Sequence, residues 1–252
     1  MPNSPLYFTL PSATAILITV CMALAAIGFP LRIARSARAL GFPKTMQVRV
    51  TLIAVLVMGL WFSFVLWGSL NGFFETPPFP VLGIPFTHVN YLALGPVLLG
   101  VTLIAFSPTT RALLDTLAPQ RVMLIETARA IGGVFLVRYF QGDLPGIFAL
   151  PAGIGDLFIG LTAPLMAYLY MKEGDHVRSL AIAWNIFGIL ELIVSLTMGY
   201  LVSALKLFSV SIPTTAAFPL ILIPGFGVPL MILFHLIALR VLIRQPASGT
   251  IP

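Results

Sequence analysis

Six side chains within or beside the long apolar runs of this sequence are of types that could do chemistry: Glu126, Arg129, Asp156, Asn185, Glu191 and His235. An ionisable group inside a bilayer costs about 2.5–3.5 kcal/mol on insertion scales, so such groups turn toward the interior of a helix bundle or a water-filled cavity. Three carboxyl groups, a guanidinium, an imidazole and an amide make a set suited to holding a proton or a polar ligand. Glu126 and Arg129 stand three residues apart, which puts them on one helix face with the spacing of an ion pair. Asp156 and Glu191 read either as structural acids bonded to a neighbouring helix or as proton- or ligand-binding carboxylates. No cofactor and no metal site is expected. The single cysteine, Cys21, lies in an apolar run, and no Walker A, HExxH, GxSxG or CxxC pattern occurs.

The elements that position these residues follow from composition. Of 252 residues 59% are hydrophobic and only 9% charged, against about 25% charged in an ordinary soluble domain. The mean hydropathy is +1.04. The natural solvent for such a chain is the lipid bilayer. Apolar runs long enough to span one occur at about Ser12–Phe29, Thr51–Leu70, Val89–Phe106, Val122–Tyr139, Ile147–Met171, Leu180–Leu201 and Phe218–Leu239. The expected fold is an all-α polytopic membrane bundle of seven transmembrane helices, forming a single integral membrane domain. Residues 1–106 form an apolar three-helix part, and residues 107–252 a four-helix part that carries the buried polar groups. The first run is read as a retained helix and not a cleaved signal.

Basic residues set the direction. Arg32, Arg35, Arg38, Lys44 and Arg49 follow the first run, Arg111 and Arg121 follow the third, Lys172 and Arg178 the fifth, and Arg240 and Arg244 the last. Only Arg138 and Lys206 fall on the other side. Lys and Arg are retained on the cytoplasmic face, so the pattern predicts N-out/C-in in a cell inner (plasma) membrane. It also argues against nucleic acid as a partner for a chain of net charge +6, since the charges follow topology and not one binding face.

Direction then gives depth. Asp156 and Glu191 fall near mid-membrane, with Glu126, Arg129, Asn185 and His235 toward the cytoplasm. Trp184, Gly188, Glu191, Ser195 and Gly199 form one small and polar stripe, and Ala152, Asp156, Gly160 and Ala163 another. The glycine- and proline-rich segments before Asp156 (Pro145 to Gly155) and in the last run (Pro224, Gly225, Gly227, Pro229) predict broken helices five and seven, a feature shared with transporter sites. The segment Asn71–Asn90, with four prolines and with Phe73, Phe74, Phe79 and Phe86, reads as an outer cap on the headgroups or as a gate.

These features exclude a retinal-type pigment, because Lys44, Lys172 and Lys206 all lie in connectors or at run ends. They also exclude one haem held by His88 and His235, which fall toward opposite membrane faces. Three readings stay open. The first is a carrier or binding protein for a small molecule, lipid or proton. The second is a membrane-embedded enzyme acting on a lipid or isoprenoid, with Asp156, Glu191 and His235 as acid–base groups. The third is a non-catalytic subunit or assembly factor that binds a partner protein or another copy of the chain.

Overall fold

The computed structural model describes residues 12–75, 79–81, 84–203 and 213–244. Nearly all of them are helical. Five stretches are long and apolar enough to cross a membrane: 13–39, 44–70, 88–106, 146–203 and 223–244. The fourth contains two helices, α7 (Gly146–Glu173) and α8 (Arg178–Ser203), joined by a 3-10 turn over Gly174–Val177. Gly174 has φ of +53°, a positive value that glycine adopts readily and that lets the chain leave α7 and reverse.

Helix α1 (Ser12–Ala39) and α2 (Lys44–Leu70) form a long hairpin that turns at Gly41, again at positive φ. Arg32, Arg35 and Arg38 are therefore on α1 and Lys44 and Arg49 on α2; the basic segment read as a connector is mostly helix extended beyond the apolar run. A short antiparallel hairpin, β1 (Phe79–Val81) with β2 (Ile84–Phe86), precedes α3 (His88–Phe106). The start of α3 is fixed by a capping box, in which Asn90 Oδ1 accepts from the Thr87 backbone N–H at 3.0 Å and Thr87 Oγ1 from that of Asn90. After α4 (Pro108–Asp115) comes a helical rod built of α5 (Pro119–Ile125), a 3-10 segment Glu126–Gly133 and α6 (Val134–Phe140). The last apolar stretch opens with a π turn at Ile223–Gly227 and continues as α9 (Val228–Arg244).

Packing directions can be read from facing residues. Gly153, Leu157 and Gly160 of α7 face Leu136, Gly133 and Ala130, so the rod and α7 run antiparallel. Thr162 of α7 bonds Trp184 of α8, and Gly155 faces Glu191, again antiparallel. Gly188 faces His235, and Arg178 Nη2 donates to the Leu242 carbonyl, so α8 and α9 are antiparallel too. Leu92 faces Gly225 and Gly100 faces Leu233, so α3 runs parallel to the last stretch. One end of the bundle is tied by Thr116 to Ser36 at 2.7 Å and by Asp115 to Arg240 at 2.8 Å and Arg244 at 3.4 Å.

Burial divides as a bilayer protein requires. The last stretch is the most enclosed, with 72% of its most apolar window buried, against 11% for α2 and for α3. The exposed surface of the long helices is apolar, including Leu60 at 68% and Leu161 at 69% exposure. Such contiguous apolar faces suit lipid contact. The aromatics read as an outer cap pack in part on protein: Phe73 and Phe74 lie 5.2 and 6.1 Å from the His88 ring and close to Phe64. Residues 76–78, and the side chain of Phe79, lie outside the described residues, as does Lys206.

One expectation is corrected. Helix five is not broken: α7 is a continuous 28-residue helix through Pro151 and Pro164. Its glycines serve contact and not bending. A Cβ on Gly160 would collide with the backbone of Ala130, one on Gly155 with the side chain of Glu191, and one on Gly153 with Leu136. In the last stretch the Gly/Pro segment is irregular, a π turn over Ile223–Gly227, but it runs on into α9 and does not divide the helix. A further irregularity, the 3-10 segment, falls in the fourth run.

Candidate polar centre

All six side chains singled out in the sequence meet in one place, where the 3-10 segment, α7, α8 and α9 converge. Every one is buried, with Asn185 and His235 fully so and Glu126 exposed by 1%. The stripes that bring them there are the expected ones: Ala152, Asp156, Gly160 and Ala163 of α7 are buried, as are Trp184, Gly188, Glu191 and Ser195 of α8, with Gly199 half-buried.

Arg129 is the hub. Its Nε donates to Asp156 Oδ1 at 2.8 Å, and its Nη2 to Glu191 Oε2. Nη1 donates to the Gly188 carbonyl at 3.2 Å and lies 3.3 Å from His235 Nε2. One guanidinium, with five N–H groups in a planar fork, thereby bridges α7, α8 and α9. The local spacing suggested an Arg129–Glu126 pair; Arg129 instead reaches two carboxylates on neighbouring helices, one of which also accepts from Ser195 Oγ at 2.7 Å. A guanidinium satisfies more donors across a helix junction than along its own helix, which decides the outcome.

Glycine makes the approach possible. A Cβ on Gly132 would collide with the Asp156 carboxylate, and one on Gly188 with the imidazole of His235. In a 3-10 helix residues three apart eclipse one another. Glu126, Arg129 and Gly132 therefore share the face turned inward, and all three are buried.

His235 is held on several sides. Its Nδ1 lies 2.9 Å from Asn185 Oδ1, its ring packs edge-on to Trp184 with centroids 5.5 Å apart, and its Nε2 lies 3.4 Å from Glu126 Oε2. Asn185 is oriented by its own Nδ2, which donates to the Ala181 carbonyl at 2.8 Å. Trp184 is in turn fixed by donation from Nε1 to Thr162 Oγ1 at 2.9 Å. Neither carboxyl oxygen of Glu126 has a hydrogen-bond partner among the described residues. No group of three or more His, Cys, Asp and Glu side chains among the described residues is arranged to hold a metal ion.

A small cavity touches the centre beside Arg129, Gly132 and Asp156 and is lined also by Met22 of α1 and by Gly227 and Met231 of the last stretch. Its volume, about 20 Å³, has room for about one water molecule. The adjoining π turn is braced from α2, where Trp61 Nε1 donates to the Gly225 carbonyl at 3.1 Å and its ring packs at a tilt against Phe226, centroids 4.5 Å apart. That bond satisfies a backbone acceptor of an irregular helix, a contribution of the first three helices that their composition did not reveal.

The model of one protein family, described as a domain of unknown function (DUF8737), matches residues 86–243, well over half of the chain. The chain belongs to this family. All six residues of the polar centre lie in the DUF8737 region, whereas α1 and α2 precede it. No curated protein and no solved structure matches the chain.

Proposed function

We propose that this is a membrane carrier or binding protein whose working part is a proton-binding polar centre in the four-helix part. The observation that carries the reading is an imbalance of charge. Three buried carboxyl groups, Glu126, Asp156 and Glu191, stand around a single buried guanidinium, Arg129. Uncompensated negative charge is far too costly in such a place, and it is relieved by taking up protons or a cation. A centre of this composition loads and unloads charge, which is the elementary act of a proton-coupled carrier. The cavity beside Asp156 offers a hydrated proton a place next to the centre. The π turn in its wall supplies the irregular helix at which a wider opening would start.

The proposal includes seven crossings, N-out/C-in, in a cell inner (plasma) membrane. Support comes from the Pro119–Phe140 rod standing between α3 and α7 in chain order, and from the antiparallel packing of successive elements. The parallel run of α3 and the last stretch also fits, since both would cross inward. A lipid- or isoprenoid-transforming enzyme draws less support, because the cavity beside Asp156 has room for a water molecule but not for an acyl chain. Close packing around Arg129 favours, as a second reading, a non-catalytic membrane subunit in which the centre staples helices together.

The test is a potentiometric titration of the purified protein in detergent, comparing wild type with Glu126→Gln, Asp156→Asn and Glu191→Gln. Proton-binding curves that differ between wild type and folded variants near neutral pH support the reading. Superimposable curves contradict it.

A further inference from the structure

We propose that Glu126 holds a proton in the resting protein and donates it to Nε2 of a neutral His235, so that this pair is the loading site of the centre. The inference deepens the reading above, and rests on it only for the claim that the bound proton is exchanged when the protein works.

Asn185 sets the tautomer of His235. Its amide nitrogen donates to the Ala181 carbonyl at 2.8 Å, so its oxygen is the atom turned to His235 Nδ1 at 2.9 Å. An amide oxygen only accepts, hence Nδ1 carries a hydrogen. In a neutral ring Nε2 is then a lone pair. Two groups converge on it: Arg129 Nη1 at 3.3 Å and Glu126 Oε2 at 3.4 Å. Arg129 only donates, and needs that lone pair or the Gly188 carbonyl as its acceptor. A second hydrogen on Nε2 would place an imidazolium against a guanidinium in a buried site. An ionised Glu126 would instead set a carboxylate against a lone pair, with neither of its oxygens hydrogen-bonded. A protonated Glu126 removes both conflicts, because its hydroxyl becomes a donor to Nε2. The proton also lowers the excess of the cluster from two negative charges to one.

The charged and titratable groups that face this pair are Arg129 on the 3-10 segment, Asp156 on α7 and Glu191 on α8, with Asn185 and Trp184 as its neutral neighbours on α8. Asp156 and Glu191 are already engaged by Arg129, and Glu191 also by Ser195. Among the three acids, Glu126 alone has no hydrogen bond among the described residues to hold its ionised form. That singles it out as the acid that keeps its proton.

Two spectra test the proposal. In the variant His88→Gln/His176→Gln, His235 is the sole histidine, and nitrogen NMR of the labelled ring is expected to show a protonated Nδ1 and a bare Nε2 at neutral pH. Infrared spectra of the same protein are expected to contain the carbonyl band of a protonated carboxylic acid, lost in Glu126→Gln and kept in Asp156→Asn. A doubly protonated His235, a ring protonated at Nε2 alone, or a carboxylic acid band unchanged by Glu126→Gln would each overturn it. The nitrogen spectrum decides even if Glu126→Gln fails to fold. Flat titration differences together with the acid band would sink the carrier reading and leave this site standing; the reverse pair of results would do the opposite.

Discussion

Asn185 Oδ1 and His235 Nδ1, 2.9 Å apart, join two antiparallel helices, α8 and α9, at full burial. The bond fixes which ring nitrogen of His235 bears hydrogen, and thereby what the opposite nitrogen offers to Arg129 and Glu126. Its removal is felt in two ways. Asn185→Ala leaves a buried N–H without an acceptor, at a cost of about 1–3 kcal/mol. It also frees the ring to change tautomer. Thermal unfolding in detergent is expected to shift down in Asn185→Ala, while Asn185→Asp, which keeps an acceptor at the same place, retains the Nδ1–H signal in nitrogen NMR.

Arg129 is expected to be the most sensitive position of the centre. Arg129→Met leaves Asp156 and Glu191 buried without their counter-charge, and breaking a buried pair in this way costs about 3–5 kcal/mol. The triple variant Arg129→Met/Asp156→Asn/Glu191→Gln removes the stranded charges along with the hub. It is expected to unfold at a higher temperature than Arg129→Met alone. A triple variant no more stable than the single one would show that charge is not what Arg129 contributes.

The six residues of the centre were legible in the sequence for a physical reason. Ionisable groups in apolar runs are tolerated only when they meet, so their presence in four runs predicted a common site. The small faces of α7 and α8 were legible as well, because Gly and Ala at helical spacing mark close seams. Arg129's choice of partners was not, since local spacing favours Glu126 and the competing carboxylates are 27 and 62 residues away. The 3-10 character of Glu126–Gly133 has no marker inside it until Gly132 and Gly133. In α7 the same residue types that mark a kink mark a contact, and only the position of Ala130 and Glu191 opposite them tells the two apart.

Those contacts give a contrast between glycines. Gly160→Ala drives a methyl into the backbone of Ala130, where no side chain can rotate away, whereas a Cβ on Gly95 meets nothing within 4 Å. Gly160→Ala is expected to destabilise by about 1–3 kcal/mol, in the range of an overpacked core. Gly95→Ala is expected to be neutral or slightly stabilising, read from thermal unfolding of the two variants side by side.

Sidedness is open to a direct check in a Cys21→Ser background. Glu75 and Lys172 are both exposed, toward opposite ends of the bundle. A membrane-impermeant maleimide is expected to label Glu75→Cys in intact cells, and Lys172→Cys only after lysis. Labelling of Lys172→Cys in intact cells would contradict the N-out/C-in arrangement.

Exchange of charge between the centre and the aqueous phases distinguishes a working carrier from a structural staple. The most direct measurement is the current from reconstituted vesicles on a solid-supported membrane when the external pH is stepped, with no cargo present. Wild type is expected to give a transient charge movement above that of protein-free vesicles, strongly reduced in Glu126→Gln and in Asp156→Asn. A wild-type response indistinguishable from empty vesicles, with folded protein present in the bilayer, would contradict the account and favour a centre that only holds the helices together.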